Sequence, residues 1–135
     1  LRKFLACLAV SGILVGFMAV PSSARDRSHF CTYPNDVAGT KKIVSCFAKK
    51  FGVDPDKARA IAWRESNFKR FAWNHSSDCR GIFQHMYSYW PGRVQHWAKK
   101  LRHWHVWHPY WYNPRAQAVV TMAMVNHGGW GPWGG

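Results

Sequence analysis

Glutamate is nearly absent from this chain. Glu65 is the only one in 135 residues, and six acidic residues in all stand against 19 lysines and arginines. No Cys-x-x-Cys spacing occurs, which removes the usual pattern of a zinc site. No internal repeat and no low-complexity linker divides the sequence. Beyond one apolar run near the start, no stretch resembles a membrane span. What remains is a short, basic, aromatic-rich chain with nine tryptophans.

The apolar run has its own explanation. Arg2 and Lys3 precede Phe4 to Val20, and Pro21-Ser22-Ser23-Ala24 sets small residues at the −3 and −1 positions of a cut after Ala24. This is the pattern of a secretory signal peptide over residues 1–24, with an uncleaved anchor as the alternative. Residues 25–135 then form one small domain with a single core. Arg2 and Lys3 are the only charges in the leader, so the formal +13 becomes +11 without it. That balance favours anionic partners: nucleic acid, anionic membrane or an acidic cell wall. Export argues against nucleic acid. Cys7 leaves with the leader, and Cys31, Cys46 and Cys79 remain. An exported chain can oxidise one pair, but the sequence leaves the pairing open.

Helical rhythm covers residues 36 to 51, with Ile43, Val44, Phe47 and Phe51 on one side, and Gly52 ends it. A second helix starts with Asp54 as cap and Pro55 in the first turn. Residues 67 to 80 read as a polar loop, and Gly81-Ile82-Phe83-Gln84 as an extended piece. Pro91 opens a helix to about Arg102, with Val94, Trp97, Ala98 and Leu101 inward. Residues 103–112, HWHVWHPYWY, make an aromatic connection. Asn113 caps and Pro114 begins the last helix, lined by Ala116, Val119, Val120, Ala123 and Met124. The expected fold is mainly α, with a short extended segment near residues 81–86.

Ala58, Ile61, Ala62 and Glu65 stand at i, i+3, i+4 and i+7 of the second helix, so the glutamate continues the inward stripe. A carboxylate there is desolvated and lies near the negative end of the helix dipole. Both effects favour the neutral, proton-donating form that a general acid requires. Trp63, Phe68, Trp73 and Phe83 are candidates to keep it dry. Asp78, between Ser77 and Cys79, reads as a loop-turn residue before it reads as a second catalytic acid.

The order of these features resembles a known family. Glu65-Ser66 ends a helix, a loop with Ser76 and Ser77 follows, and then come Gly81-Ile82-Phe83-Gln84, Tyr89-Trp90-Pro91-Gly92-Arg93, the Asn113-Pro114 helix and the Gly-Gly-Trp-Gly-Pro-Trp tail. This is similar to the lysozyme-like soluble lytic transglycosylases, in their small exported actinobacterial form, over roughly residues 36 to 133. The resemblance implies a compact lysozyme-like single domain without cofactor or metal. It implies cleavage of the β-1,4 bond between N-acetylmuramic acid and N-acetylglucosamine by one glutamate, Glu65, acting as acid and then as base, with a 1,6-anhydro product. It carries Ser66 over as a support for the glutamate or substrate, Gln84 as a cleft-lining amide, and Gly81 and Phe83 as part of the same wall. The family's Tyr-Asn pair near the last helix is only half matched. Asn126 fits the asparagine, and Tyr110 or Tyr112 is the substitute for the missing tyrosine.

Single features carry bland readings beside functional ones. Trp90, Trp107 and Trp111 suit the apolar face of a sugar, yet a tryptophan is usually packing. Arg64, Arg70, Arg93, Lys99, Lys100 and Arg102 suit wall carboxylates or phosphates, yet each alone is solvated surface. His103, His105 and His108 lack a nearby acid and read as a pH-responsive basic patch before a metal site. The expectation is an exported, wall-associated, monomeric enzyme acting on peptidoglycan glycan strands, with anionic wall polymers as further partners and no nucleic acid. A hydrolase of the same bond and a non-catalytic wall binder are its alternatives.

Overall fold

Two capped helices built from local signals frame the molecule. The computed structural model describes residues 28–135; the expected signal peptide and Cys7 lie outside the described residues. Helix α1 spans Val37–Lys50, and the Asp36 carboxylate accepts the Gly39 N–H at 2.7 Å. A side chain at Gly39 would collide with the Pro34 carbonyl, its Cβ only 1.8 Å away, so this position accepts glycine alone. Helix α2 spans Pro55–Ser66, with Asp54 accepting from the N–H groups of Asp56 and Lys57. Ile43, Val44 and Phe47 of α1 and Ala58, Ile61 and Ala62 of α2 are buried, as the stripes predict.

Asn67 and Phe68 then both adopt left-handed backbone, with φ of 52° and 59°. They end α2 and begin a six-residue connection to the sheet that turns again at residues 70–71. The chain then enters a small antiparallel sheet of β1 (Trp73–Asn74), β2 (Cys79–Arg80) and β3 (His85–Met86), in that order. Trp73 pairs with Arg80, and Arg80 with His85. The region expected as a plain loop therefore contains a hairpin. Within the expected extended segment 81–86, strand is confined to residues 85–86, because Gly81 to Gln84 form a turn with φ of 83° at Gly81 and 51° at Gln84. Two-residue ladders are weak, and Arg80 reinforces them. Its guanidinium lies 4.1 Å from the Trp73 ring and 3.8 Å from Tyr87, and it bonds the Asp78 carboxylate.

A 3₁₀ turn, Tyr87–Tyr89, leads into α3 (Trp90–His96) and α4 (Ala98–His103). The single helix expected from Pro91 to Arg102 bends at Trp97, although hydrogen bonds from Trp97 N–H to Arg93 and from Leu101 N–H to Trp97 run across the bend. The bend lets Leu101 reach the core where α4 packs on the last helix, α5 (Pro114–Gly128). Asn113 caps α5. Residues 116 to 123 of α5 are all buried, so it is the central helix with neighbours on every side. Met124, expected inward, is only half-buried.

The result is a mainly helical single domain. A disulfide joins Cys31 to Cys46 and ties the lead-in to α1, while Cys79 is free. The bond is consistent with an oxidising, extracellular setting. Among the described residues no helix is long and apolar enough to cross a membrane.

Candidate active site

Glu65 lies in the last turn of α2 and lines a cleft of about 350 Å³. Asn74, Ser77 and Cys79 of the hairpin, Gln84 of the following turn, and Tyr89 and Arg93 beyond it line the same space. Pro132 and Trp133 close it from the tail. Among the described residues Glu65 is the only acidic one in this lining.

Its surroundings differ from the dry, unpaired setting that the stripe suggests. The side chain is 24% exposed, and Arg64 Nη2 stands 2.7 Å from Oε1. The same Nη2 donates to the Trp133 carbonyl at 2.6 Å. The tail thus fixes the arginine that pairs with the glutamate. The four aromatic residues expected to dry the carboxyl do not line the cleft; Trp63 and Trp73 are exposed, and Phe68 and Phe83 are in the core. Trp133 takes that place, with its indole N–H donating to the Phe83 carbonyl at 2.8 Å.

The other expected site residues divide into cleft and frame. Gln84 is in the cleft. Its Nε2 donates to the carbonyls of Gly81 (2.9 Å) and Ala72 (3.2 Å), and among the described residues no donor reaches its Oε1. Ser66 is buried, its hydroxyl 2.8 Å from the Ile82 carbonyl and 3.1 Å from that of Ala62. It fastens the end of α2 to the turn that carries Gln84 and does not face the cleft. Gly81 approaches protein, not open cleft: a Cβ there would lie 2.3 Å from the Gln117 amide nitrogen and 2.6 Å from the Trp111 carbonyl. Phe83 is fully buried and presents only its backbone, donating to Gln117 and accepting from Trp133.

Three residues stand elsewhere. Asn126 donates to the Phe51 carbonyl at the end of α1 (2.9 Å). Tyr110 and Tyr112 stack on each other at 5.3 Å, and Tyr112 lies against Phe71. Neither tyrosine lines the cleft. Nor do the three tryptophans considered for sugar stacking: Trp90 is buried, Trp107 is exposed, and Trp111 packs toward Arg80. Asp78 sits at φ 54° in the hairpin and accepts from Arg80 Nε and Trp73 Nε1, both at 2.9 Å. The Arg80 bond foremost holds its carboxyl below the usual aspartate range. It is a turn residue. HWHVWH forms no strand, and among the described residues no cluster of three or more His, Cys, Asp or Glu could hold a metal ion.

Behind the cleft runs a polar chain that the sequence reading did not find. His85 is buried, with Nε2 2.7 Å from Thr121 Oγ1 and Nδ1 2.7 Å from Arg93 Nη1. A guanidinium only donates, so Nδ1 accepts and Nε2 carries the hydrogen toward Thr121. Burial first, and the Arg93 charge second, push the His85 pKa down to about 3. Gln117, one turn before Thr121 on α5, accepts the Phe83 N–H (3.0 Å) and donates to the Arg80 carbonyl (3.1 Å). The available signal was a glutamine and a threonine four apart in the otherwise apolar stretch 116–125 of that helix. No family model, no curated protein and no solved structure matches the chain.

Proposed function

We propose that the chain is an exported enzyme that cuts the β-1,4 bond between N-acetylmuramic acid and N-acetylglucosamine in peptidoglycan, without water. One observation carries this reading: among the described residues Glu65 is the sole carboxylate lining the cleft. Glycosidases that activate water or form a covalent sugar ester use two carboxyl groups. A cleft with one suits a reaction whose nucleophile belongs to the substrate.

In this mechanism Glu65 binds a proton and donates it to the bridging oxygen as the C1–O bond breaks. The sugar's own 6-hydroxyl then attacks C1, and the Glu65 carboxylate takes the hydroxyl proton. The acid is regenerated, and the products are a 1,6-anhydro end and a free hydroxyl on the leaving sugar. The Arg64 guanidinium has to release Oε1 first. Its bond to the Trp133 carbonyl gives it a second acceptor on which to stay. In this reading Gln84 Oε1, which no described donor reaches, accepts an N-acetyl N–H. Glycan strands are the partner of the cleft, and anionic wall polymers suit the basic surface; no nucleic-acid, metal or cofactor role is needed, and the enzyme acts as a monomer.

The Arg64–Glu65 pair favours a second reading, a non-catalytic glycan binder, since the guanidinium occupies the carboxylate oxygen that a general acid would present to the substrate. Mass spectrometry of wall fragments decides. Wild type should release fragments one water lighter than those with reducing ends, and Glu65→Gln should release none. Fragments with reducing ends identify a hydrolase instead. No cleavage by wild type leaves only the binder.

A further inference from the structure

The cleft does not end at Arg93. Past Tyr89, Arg93 and Pro132, which line both spaces, it continues into a second depression of about 500 Å³. Trp97, Met124 and Pro132 give this compartment apolar walls, and Gly92 and Gly128 line it without side chains. A Cβ on either glycine would meet no atom within 4 Å, so the space beside them is open.

Arg93 stands at the junction with a charge that no acid among the described residues answers. The ion pairs among the described residues are Arg59–Asp56, Arg64–Glu65 and Arg80–Asp78. Arg93 is held instead by a neutral ring, His85 Nδ1, which is itself locked by Thr121. An arginine keeps its charge under partial burial. A cation fixed by a neutral partner can give its remaining N–H groups to a carboxylate in the bidentate manner.

We propose that the second compartment receives a short acidic peptide branch of the glycan, its carboxylate on Arg93 and its aliphatic part against Trp97 and Met124. This rests on the reading of the cleft as a peptidoglycan site and narrows it: glycan bearing its peptide stem is preferred to bare glycan. Continuity with the Glu65 cleft and the unanswered charge both select this occupant. A second copy of this basic chain would bring more positive charge to the same place.

Titration calorimetry on wild type tests it, with two probes prepared from bacterial walls: the N-acetylglucosamine–N-acetylmuramic acid disaccharide carrying its acidic peptide, and the same disaccharide freed of peptide. The stem-bearing probe should bind at least tenfold more tightly. Arg93→Gln, which removes the charge, and Gly128→Leu, which fills the compartment from an exposed helix end, should each bring that ratio below threefold. A wild-type ratio within twofold overturns the proposal. So does a ratio that survives both substitutions. Cleavage of stem-bearing and peptide-stripped glycan is measured in parallel. Should wild type cut neither, the enzymatic reading fails, and the calorimetric ratio still decides the peptide compartment.

Discussion

Acidification should destabilise this protein through His85, and the size of the effect follows from its setting. In the folded chain the ring stays neutral down to about pH 3, whereas an unfolded histidine takes up its proton near 6.5. Between these values the unfolded state binds more protons. Stability is therefore full above about pH 6.5, falls as the pH drops, and levels off below about pH 3. The slope approaches about 1.4 kcal/mol per pH unit, and the loss between pH 7.5 and 4 is about 3 kcal/mol. Arg93 is the charged group against the ring, and Thr121 and the rings of Trp90 and Trp133 are its neutral neighbours. The other seven histidines are exposed. Urea denaturation of wild type and His85→Gln over this range isolates the one buried ring, since a constant offset in stability leaves the slope untouched. The variant should lose about 3 kcal/mol less than wild type on acidification. Parallel curves, agreeing within about 0.5 kcal/mol at every pH, would refute the assignment of a buried neutral ring.

Two further outcomes are expected from the same denaturation assay at neutral pH. Gln117→Leu leaves the Phe83 N–H and the Arg80 carbonyl without partners inside the core, and at about 1–3 kcal/mol for each group it should lower stability by at least 2 kcal/mol; a loss under about 1 kcal/mol would mean that water replaces the amide. Thr40→Val removes a buried hydroxyl that has no hydrogen-bond partner, in a site of the same shape, and should leave stability unchanged or raise it by about 1 kcal/mol; a loss beyond 1 kcal/mol would reveal a partner for that hydroxyl.

The parts of the fold that were legible are those fixed by neighbours in sequence. Asp54 with Pro55, and Asn113 with Pro114, mark helix starts because capping is settled within one turn. The hairpin was not legible, since strands of two residues are too short to show alternation. Nor was the bend at Trp97, where the hydrogen bonds continue and only the path changes. The helical position of Glu65, in the last turn of α2, was legible, but its partner was not. Adjacent residues on a helix normally diverge, and Arg64 reaches Glu65 because the Trp133 carbonyl, 69 positions on, holds it there. Gln84 was identified as a cleft residue. Tyr89 and Trp133 sat inside quoted motifs without a role, and Arg93 was only one of several basic residues suited to wall anions, since only the tertiary fold brings them beside Glu65.

Asn67 and Phe68 have one more implication. Both take left-handed backbone immediately after the last turn of α2, so at this joint they set the direction in which the chain leaves the helix toward the hairpin. Side chains along the hairpin can vary, but an added or deleted residue at this corner would swing the whole far wall away from Glu65. Length, more than composition, is what this joint cannot change.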